Sequence, residues 1–289
     1  MPNQRPEQQH PTDEERGRIA AAIPLEAPAK PKQKRSLLVV TLNVRDGEVR
    51  RRGHRSIAYA NLAIDMMGTS TGAYATVFDN DLERFRAAEL AKFDAVCFNN
   101  TCGVLFEDSE RQQALLDYVT NGKGIVGFHA ALATFVQHPR YDYWPAFGEM
   151  LGATENGGHP WTPDDTITLK PEDAGHPINA AFGGKSFEVN DEVFQLQEPY
   201  TREKLRVLLS IDTSKTDTGP DRRILPERRA DMDFAISWIR KYGKGRVFCS
   251  SLGHCPHIFW NKPILQHFLA GIQYALGDLE ADATPSAKL

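Results

Sequence analysis

Four of the nine histidines stand beside the ends of predicted strands, where the loops of one sheet edge converge. His54 precedes a predicted helix, His129 and His254 follow predicted strands, and His159 lies in the motif GGHPW. Imidazoles together with a carboxylate are ligands that zinc and other divalent transition metals favour. They equally suit metal-free acid and base catalysis. No HExxH spacing is present, so both chemistries stay open, with His129, His159 and His254 as the candidate metal ligands.

Two adjacent carboxylates are the candidates to work beside these histidines. Asp191 and Glu192 lie in the motif NDEVFQL. Glu192 is expected to complete a metal shell or to act as a base, and Asp191 is a second catalytic candidate. His54 is expected to orient the substrate or to serve as a further ligand. The alternative for the two acids is a turn in which both are solvated.

Candidate substrate-binding residues come from the same loops. Asn99 and Asn100 follow a predicted strand, and His257 lies three residues after His254. Trp161 is an aromatic residue beside polar groups, an arrangement that suits stacking on a sugar ring. The alternative is that such aromatic residues belong to the core.

The elements that must position these residues alternate between strand and helix in the first half of the chain. The run SLLVVTLN at residues 36–43 is apolar without interruption, as in a strand buried on both faces. Further strands are predicted at residues 73–78, 93–99 and 124–128. Helices are predicted at residues 57–67, 82–92 and 108–119, and the first of them is expected to end at Gly68. This alternation predicts a flavodoxin-like, doubly wound and mainly parallel sheet.

The second half is richer in strands. They are predicted at residues 166–169, 186–189, 205–211, 234–239 and 246–251, and a last helix at 263–276. Residues 213–231 are polar and are expected to form an exposed excursion. Residues 1–35 are expected to be an extended arm with one short helix at 14–22, either solvated or laid on a neighbouring subunit. We therefore predict an arm (1–35), one domain (36–278) and a tail (279–289).

Composition excludes several classes of partner. The net charge of −4 gives no reason to expect nucleic acid or an acidic membrane. No apolar stretch is long enough to cross a bilayer, and the N-terminus has no apolar signal core. Four cysteines without CxxC spacing are expected to be free thiols, which favours a cytoplasmic protein, or a periplasmic one if a signal peptide has been removed. GxGxxG is absent after the first strand, so we expect neither NAD nor flavin.

The ordered series of short motifs resembles the ThuA-like (trehalose-utilisation) family, which shares the fold of class I glutamine amidotransferases. The resemblance covers about residues 36–278. It is carried by FDAVCFNNTCG (93–103), GKGIVGFHAA (122–131), FGEMLGA (147–153), GGHPW (157–161), HPINAAF (176–182), NDEVFQL (190–196) and YGKGRVFCSSLGH (242–254).

The resemblance implies work on sugars. In the amidotransferases the turn after the fourth strand carries a nucleophilic cysteine. This chain has Gly127-Phe128-His129-Ala130-Ala131 there, so the comparison argues against glutaminase activity. We expect a metal-assisted enzyme that isomerises, cleaves or hydrolyses a sugar or 3-keto-glycoside. A non-catalytic carbohydrate-binding or assembly protein is the alternative. The expected partners are a sugar substrate, a sugar oxidoreductase and further copies of the chain.

Overall fold

A nine-stranded sheet forms the centre of the protein. The computed structural model describes residues 10–50, 53–137, 141–155, 158–196, 198–218 and 229–289. The strands of the sheet, in chain order, are β1 Ser36–Val40, β2 Ala75–Phe78, β3 Ala95–Asn99, β4 Gly124–Phe128, β5 Thr166–Pro171, β6 Phe187–Asn190, β7 Arg206–Ile211, β8 Ala235–Tyr242 and β9 Gly245–Ser250. Their order in space is β6-β5-β7-β8-β9-β4-β3-β1-β2.

The direction of these strands confirms the predicted fold class. β2, β1, β3, β4 and β9 are successive parallel neighbours, which is the strand order of a flavodoxin-like sheet. The pairs on the other side, β9 with β8, β8 with β7, β7 with β5 and β5 with β6, are antiparallel. Seven of the nine strands therefore run in one direction, and β5 and β8 run in the other.

Helices cover both faces of the sheet. They are α1 Asp13–Ala22, α2 Ile57–Thr71, α3 Ala87–Leu90, α4 Ser109–Thr120, α5 Pro145–Leu151 and α6 Lys262–Leu276. Leu37 and Val39 of β1 pack in the core with α1, α2 and α6, whereas Leu38 and Val40 pack with α3, α4 and α5. Burial on both faces explains the continuous apolar run of this strand. Among the described residues, no helix is long and apolar enough to cross a membrane.

The predicted end of α2 is wrong by one turn. The helix continues to Thr71 and ends at Gly72, which adopts the left-handed conformation (φ 66°). Gly68 lies inside the helix because the chain passes close to it: a Cβ there would stand 2.6 Å from the carbonyl oxygen of Tyr74. This glycine therefore marks a close approach of backbone rather than a helix terminus.

The single helix predicted at residues 82–92 is also wrong. The structure has a 3-10 turn at Leu82–Phe85 and then the short α3, separated by the extended backbone of Arg86 (φ −74°, ψ 145°). Phe85 and Leu90 are both buried in the core. Residues five apart point about 140° from each other on one helix, so the break lets both side chains face the sheet.

The described part of the arm packs on its own domain. Thr12 and Glu15 form a reciprocal capping box that starts α1. Ile19 is buried in the core with α2, and the Tyr59 hydroxyl donates a 2.9 Å hydrogen bond to Glu15. Further along, the amide of Ala29 donates to the Gln273 side chain on α6. The segment thus extends one helical layer of the fold.

The polar excursion predicted at residues 213–231 lies partly outside the described residues. Within residues 213–218, Thr216 is buried, in contrast to the predicted exposure. Its hydroxyl accepts a hydrogen bond from the Thr168 amide at 2.8 Å, which ties the start of the excursion to β5.

Candidate active site at the carboxyl edge of the sheet

Strand direction explains why distant residues meet. His129 follows β4, His254 follows β9 and Glu192 follows β6, and these three strands run in the same direction. His159 comes before β5, but β5 runs in the opposite direction, so its beginning lies at the edge where the other strands end. The fold therefore carries all four residues to the carboxyl edge, the usual ligand edge of such sheets.

His129 occupies a strained turn directly after β4. Its φ of 45° is unusual for a residue with a side chain. The Nδ1 atom lies 2.8 Å from the carbonyl oxygen of Ser251, and because a carbonyl only accepts, Nδ1 carries the proton. Burial, and then the neighbouring His54 and His254, lower the pKa of His129 well below its usual value. His129 is thus a neutral imidazole whose Nε2 offers a lone pair to the site.

His54, His129 and His254, hereafter the histidine cluster, place one ring nitrogen each within 4.8 Å of one another. The Nδ1 atom of His254 lies 3.2 Å from Nε2 of His129. The Nδ1 atom of His54 is buried and has no hydrogen-bond partner among the described residues. Burial, and then the charge of His254, lower the pKa of His54 to about 4. Burial thus favours the neutral, metal-binding form of His54 and His129, and a group of ring nitrogens this close together is what a transition metal requires.

Glu192 adds a carboxylate to the histidine cluster. Its Oε1 lies 3.3 Å from Nδ1 of His254 and 3.8 Å from Nε2 of His129. Burial alone would raise the pKa of Glu192, but the hydrogen bond and charge of His254 outweigh it, so the pKa lies below its usual value. Three imidazoles and one ionised carboxylate fit a zinc-like ion in number and in chemistry.

Asp191 lies behind this site rather than in it. Its carboxylate is buried and accepts hydrogen bonds from the amides of Gly253 (2.7 Å) and Cys255 (2.8 Å), the two residues that flank His254. Burial raises the pKa of Asp191 to about 6, against the two amide bonds, which lower it. Asp191 therefore fixes the loop that carries His254.

His159 stands beside the histidine cluster and pairs with a carboxylate of its own. Its Nδ1 atom lies 3.2 Å from Oε1 of Glu155, a buried acid. The structure places His54, rather than His159, with His129 and His254. Sequence reasoning missed Glu155, although its position four residues before His159 is a signal that a search for paired acids and histidines would find.

The predicted substrate-binding residues take several positions. Asn99 is buried and donates to the Asn61 side chain at 2.8 Å, and Asn100 donates to Asn99 at 3.0 Å. His257 Nε2 bonds the carbonyl oxygen of Asn190 at 2.6 Å and so holds the segment before Asp191. Trp161 is 2% exposed and its indole donates to the Asp217 carbonyl. The structure thus places the two asparagines at the carboxyl end of β3 and the Trp161 ring in the core.

The cysteines are unsuited to nucleophilic chemistry. Cys97, Cys102, Cys249 and Cys255 are free thiols. Burial raises the pKa of Cys102 to about 11, so its thiolate is scarce at neutral pH. At the turn where an amidotransferase would need a cysteine, this chain presents His129.

These features define a flavodoxin-like α/β protein with a histidine-rich site at the carboxyl edge of its sheet. The family model of ThuA, described as trehalose utilisation, matches residues 45–275. The chain therefore belongs to the ThuA family, as the motif series indicated, and the family description points to a role in sugar metabolism.

Solved structures agree on the fold. A ThuA-like protein of Bacteroides uniformis is similar with a TM-score of 0.60 at 20% identity, covering 82% of this chain and 89% of that one. A ThuA-like protein of Parabacteroides merdae gives 0.57 at 18% identity, covering 88% and 93%. A cytoplasmic protein of Salmonella typhimurium gives 0.54 at 13% identity, covering 83% and 98%. A comparison with curated proteins gives no significant match.

Proposed function

We propose that this protein is a metal-assisted enzyme that acts on a sugar or 3-keto-glycoside by isomerisation, elimination or hydrolysis. The observation that carries the proposal is the grouping of one ring nitrogen each of His54, His129 and His254 within 4.8 Å of one another, with the tautomer of His129 fixed by the Ser251 carbonyl. Such a hydrogen bond to the far ring nitrogen is typical of a histidine that binds a metal.

The histidine cluster would hold the ion, and Glu192 would either complete its shell or act as the base. Bound there, a zinc-like ion would supply Lewis-acid chemistry toward a ketone, a hydroxyl or water. Glu192, whose pKa is lowered, is ionised at neutral pH and can take a proton from a carbon beside a ketone. Asp191 keeps His254 in place through the two flanking amides.

His159 and Glu155 form a second proton-transfer pair at the rim of the site. Glu155 lies 3.2 Å from Nδ1 of His159, so its carboxylate can stabilise the imidazolium that forms when His159 takes up a proton. One such pair and one separate carboxylate would allow a proton to be removed at one position and delivered at another. That division of roles suits isomerisation, elimination and hydrolysis equally.

The first test combines metal content with turnover. Purified protein is loaded with zinc, manganese, iron or nickel, and bound metal is measured by elemental analysis. The parent is expected to hold about one ion and the variant His129→Ala close to none, whereas His10→Ala, an exposed histidine of the arm, is expected to match the parent. Product formation from 3-keto-glycosides is followed by NMR in the same samples.

The outcomes separate the alternatives. Metal binding and product formation that are both lost in His129→Ala support the proposal. Turnover without bound metal would overturn the role of the ion and leave acid and base catalysis by Glu192 and His159. Saturable sugar binding without any product would overturn the enzyme and favour a carbohydrate-binding protein.

A further inference from the structure

A cavity of about 290 Å³ opens beside the histidine cluster. His54 forms part of its wall, so the cavity and the candidate metal site share one side chain. Its volume is close to the lower limit of roughly 300 Å³ for small-molecule sites, enough for one sugar unit. The lining residues are Asn43, Val44, Arg45, Arg50, Gly53, His54 and Cys102.

A β-hairpin with a two-residue turn carries Arg45, and Arg50 directly follows its second strand. Val44–Arg45 pairs with Glu48–Val49, and the turn residues Asp46 and Gly47 both have positive φ (54° and 77°), as a type I′ turn requires. The amide of Arg50 donates to the Asn43 carbonyl at 2.7 Å and continues the ladder. Asn43 in turn forms a β-bridge with Cys102. The base of the hairpin is therefore fixed to the loop that follows β3.

The positive charge here is poorly neutralised. Residues 45–55 contain five arginines and two acids, whereas the whole chain has a net charge of −4. Among the described residues, Arg45 forms one long ion pair, with Asp46 at 3.9 Å, and Arg50 forms none. By contrast, Arg84 pairs with two carboxylates at 2.6 and 2.7 Å. The exposed side chains of Arg45 and Arg50 are therefore open to an anionic ligand.

We propose that Arg45 and Arg50 bind a carboxylate or phosphate group of the substrate, which would make the substrate an acidic sugar or a sugar phosphate. A guanidinium presents paired donors that match both groups. An anion held at this hairpin places the rest of the sugar along the cavity toward His54. The inference rests on the proposed function, because it names the substrate class of that same site.

The test measures binding of matched ligands by isothermal titration calorimetry. Glucuronate and glucose 6-phosphate are compared with glucose, using zinc-loaded parent protein, R45Q, R50Q and the double variant. R18Q is the control, because Arg18 is an exposed arginine on α1. We expect at least one anionic ligand to bind about 100-fold more tightly than glucose, each single variant to remove about tenfold of that affinity, and the double variant to remove nearly all of the advantage. The stronger of the two ligands identifies carboxylate or phosphate as the natural group.

The outcomes distinguish this inference from the proposed function. Equal affinity for glucose and both anions, or unchanged affinity in the double variant, would overturn anion recognition even if neutral 3-keto-glycosides are turned over. Anion binding that is lost in R45Q and R50Q and kept in H129A supports the arginine subsite, whether or not metal-dependent turnover is found. R50K keeps the charge without the paired donors, so a partial loss in R50K supports recognition by the guanidinium fork.

Discussion

Two histidines, the half-buried His54 and the fully buried His267, have similarly lowered pKa values in opposite surroundings. Burial lowers the pKa of each to about 4. His267 lies in the core, where Nδ1 bonds the Ile178 carbonyl at 3.0 Å and Nε2 bonds the Ser237 hydroxyl at 2.8 Å. His54 lies at the sheet edge, and its buried Nδ1 has no hydrogen-bond partner among the described residues. A low pKa therefore reports burial, whereas an unmet hydrogen-bonding nitrogen indicates a ligand site.

The largest expected difference between the two is in metal affinity. His54→Ala should weaken zinc binding by roughly 100- to 1000-fold, because one of four ligands supplies about a quarter of a binding free energy of roughly 10–16 kcal/mol. Competition with a chromogenic chelator measures this constant. The matched variant His267→Ala should leave it unchanged. Equal losses in both variants would show that His54 acts through the fold and not as a ligand.

The free energy of unfolding should fall more in His267→Ala than in His54→Ala, the reverse of the order expected for zinc affinity. His267→Ala removes a buried ring and leaves a cavity and two polar groups without partners, so it should lower the free energy of unfolding by about 3 kcal/mol. His54→Ala removes a side chain with an unmet nitrogen and should cost less than about 1 kcal/mol in metal-free protein. Urea unfolding of both variants without metal provides the measurement. A larger loss for His54→Ala would contradict the distinction drawn from their hydrogen bonds.

Sequence patterns predicted the sheet well because its strands are buried on both faces. Gly124–Phe128 was predicted to the residue, since an uninterrupted apolar run bounded by polar residues has few other interpretations. The break at Arg86 was missed, because it depends on where Phe85 and Leu90 meet the sheet. Local spacing does not contain that information.

The sequence predicts which edge of the sheet carries the candidate residues, but it does not predict how they are arranged there. Strand ends brought His129, His254 and Glu192 to one edge, but the choice between His54 and His159 depends on loop paths that no periodicity describes. The Ser251 carbonyl that fixes the tautomer of His129 has no side-chain signature at all. Asp191 is a catalytic candidate because it is a carboxylate beside Glu192, whereas its position behind His254 follows from tertiary contacts.

A smaller loss of zinc affinity should follow from changing Asp191, whose carboxylate holds the loop that carries His254. Asp191→Asn keeps one acceptor oxygen but leaves one of the two amides, of Gly253 or Cys255, without a partner. We expect zinc affinity to fall about 10- to 100-fold, the usual cost of losing support for a ligand. Asp278→Asn, which alters another buried carboxylate, bonded to Arg35, is the control and should lower stability without changing affinity. Equal zinc affinities in the parent and in Asp191→Asn would mean that His254 needs no such support.

A pH dependence of stability is the one property that the two histidines should share. Both have a folded pKa near 4 and an unfolded pKa near 6.5, so between these values the unfolded chain binds a proton that the native protein does not. Each histidine therefore lowers the free energy of unfolding as the pH falls from 6.5 to 4, by up to about 1.4 kcal/mol per pH unit, and contributes no slope above 6.5. In metal-free protein, His54→Gln and His267→Gln should each remove one such slope from urea-unfolding data collected between pH 4 and 7. If both variants lose the same slope but differ in zinc affinity, the pKa of a histidine and its ability to bind metal are separate properties here. If the slope disappears only in His267→Gln, His54 is solvated, and its nitrogen without a hydrogen-bond partner does not indicate a metal ligand.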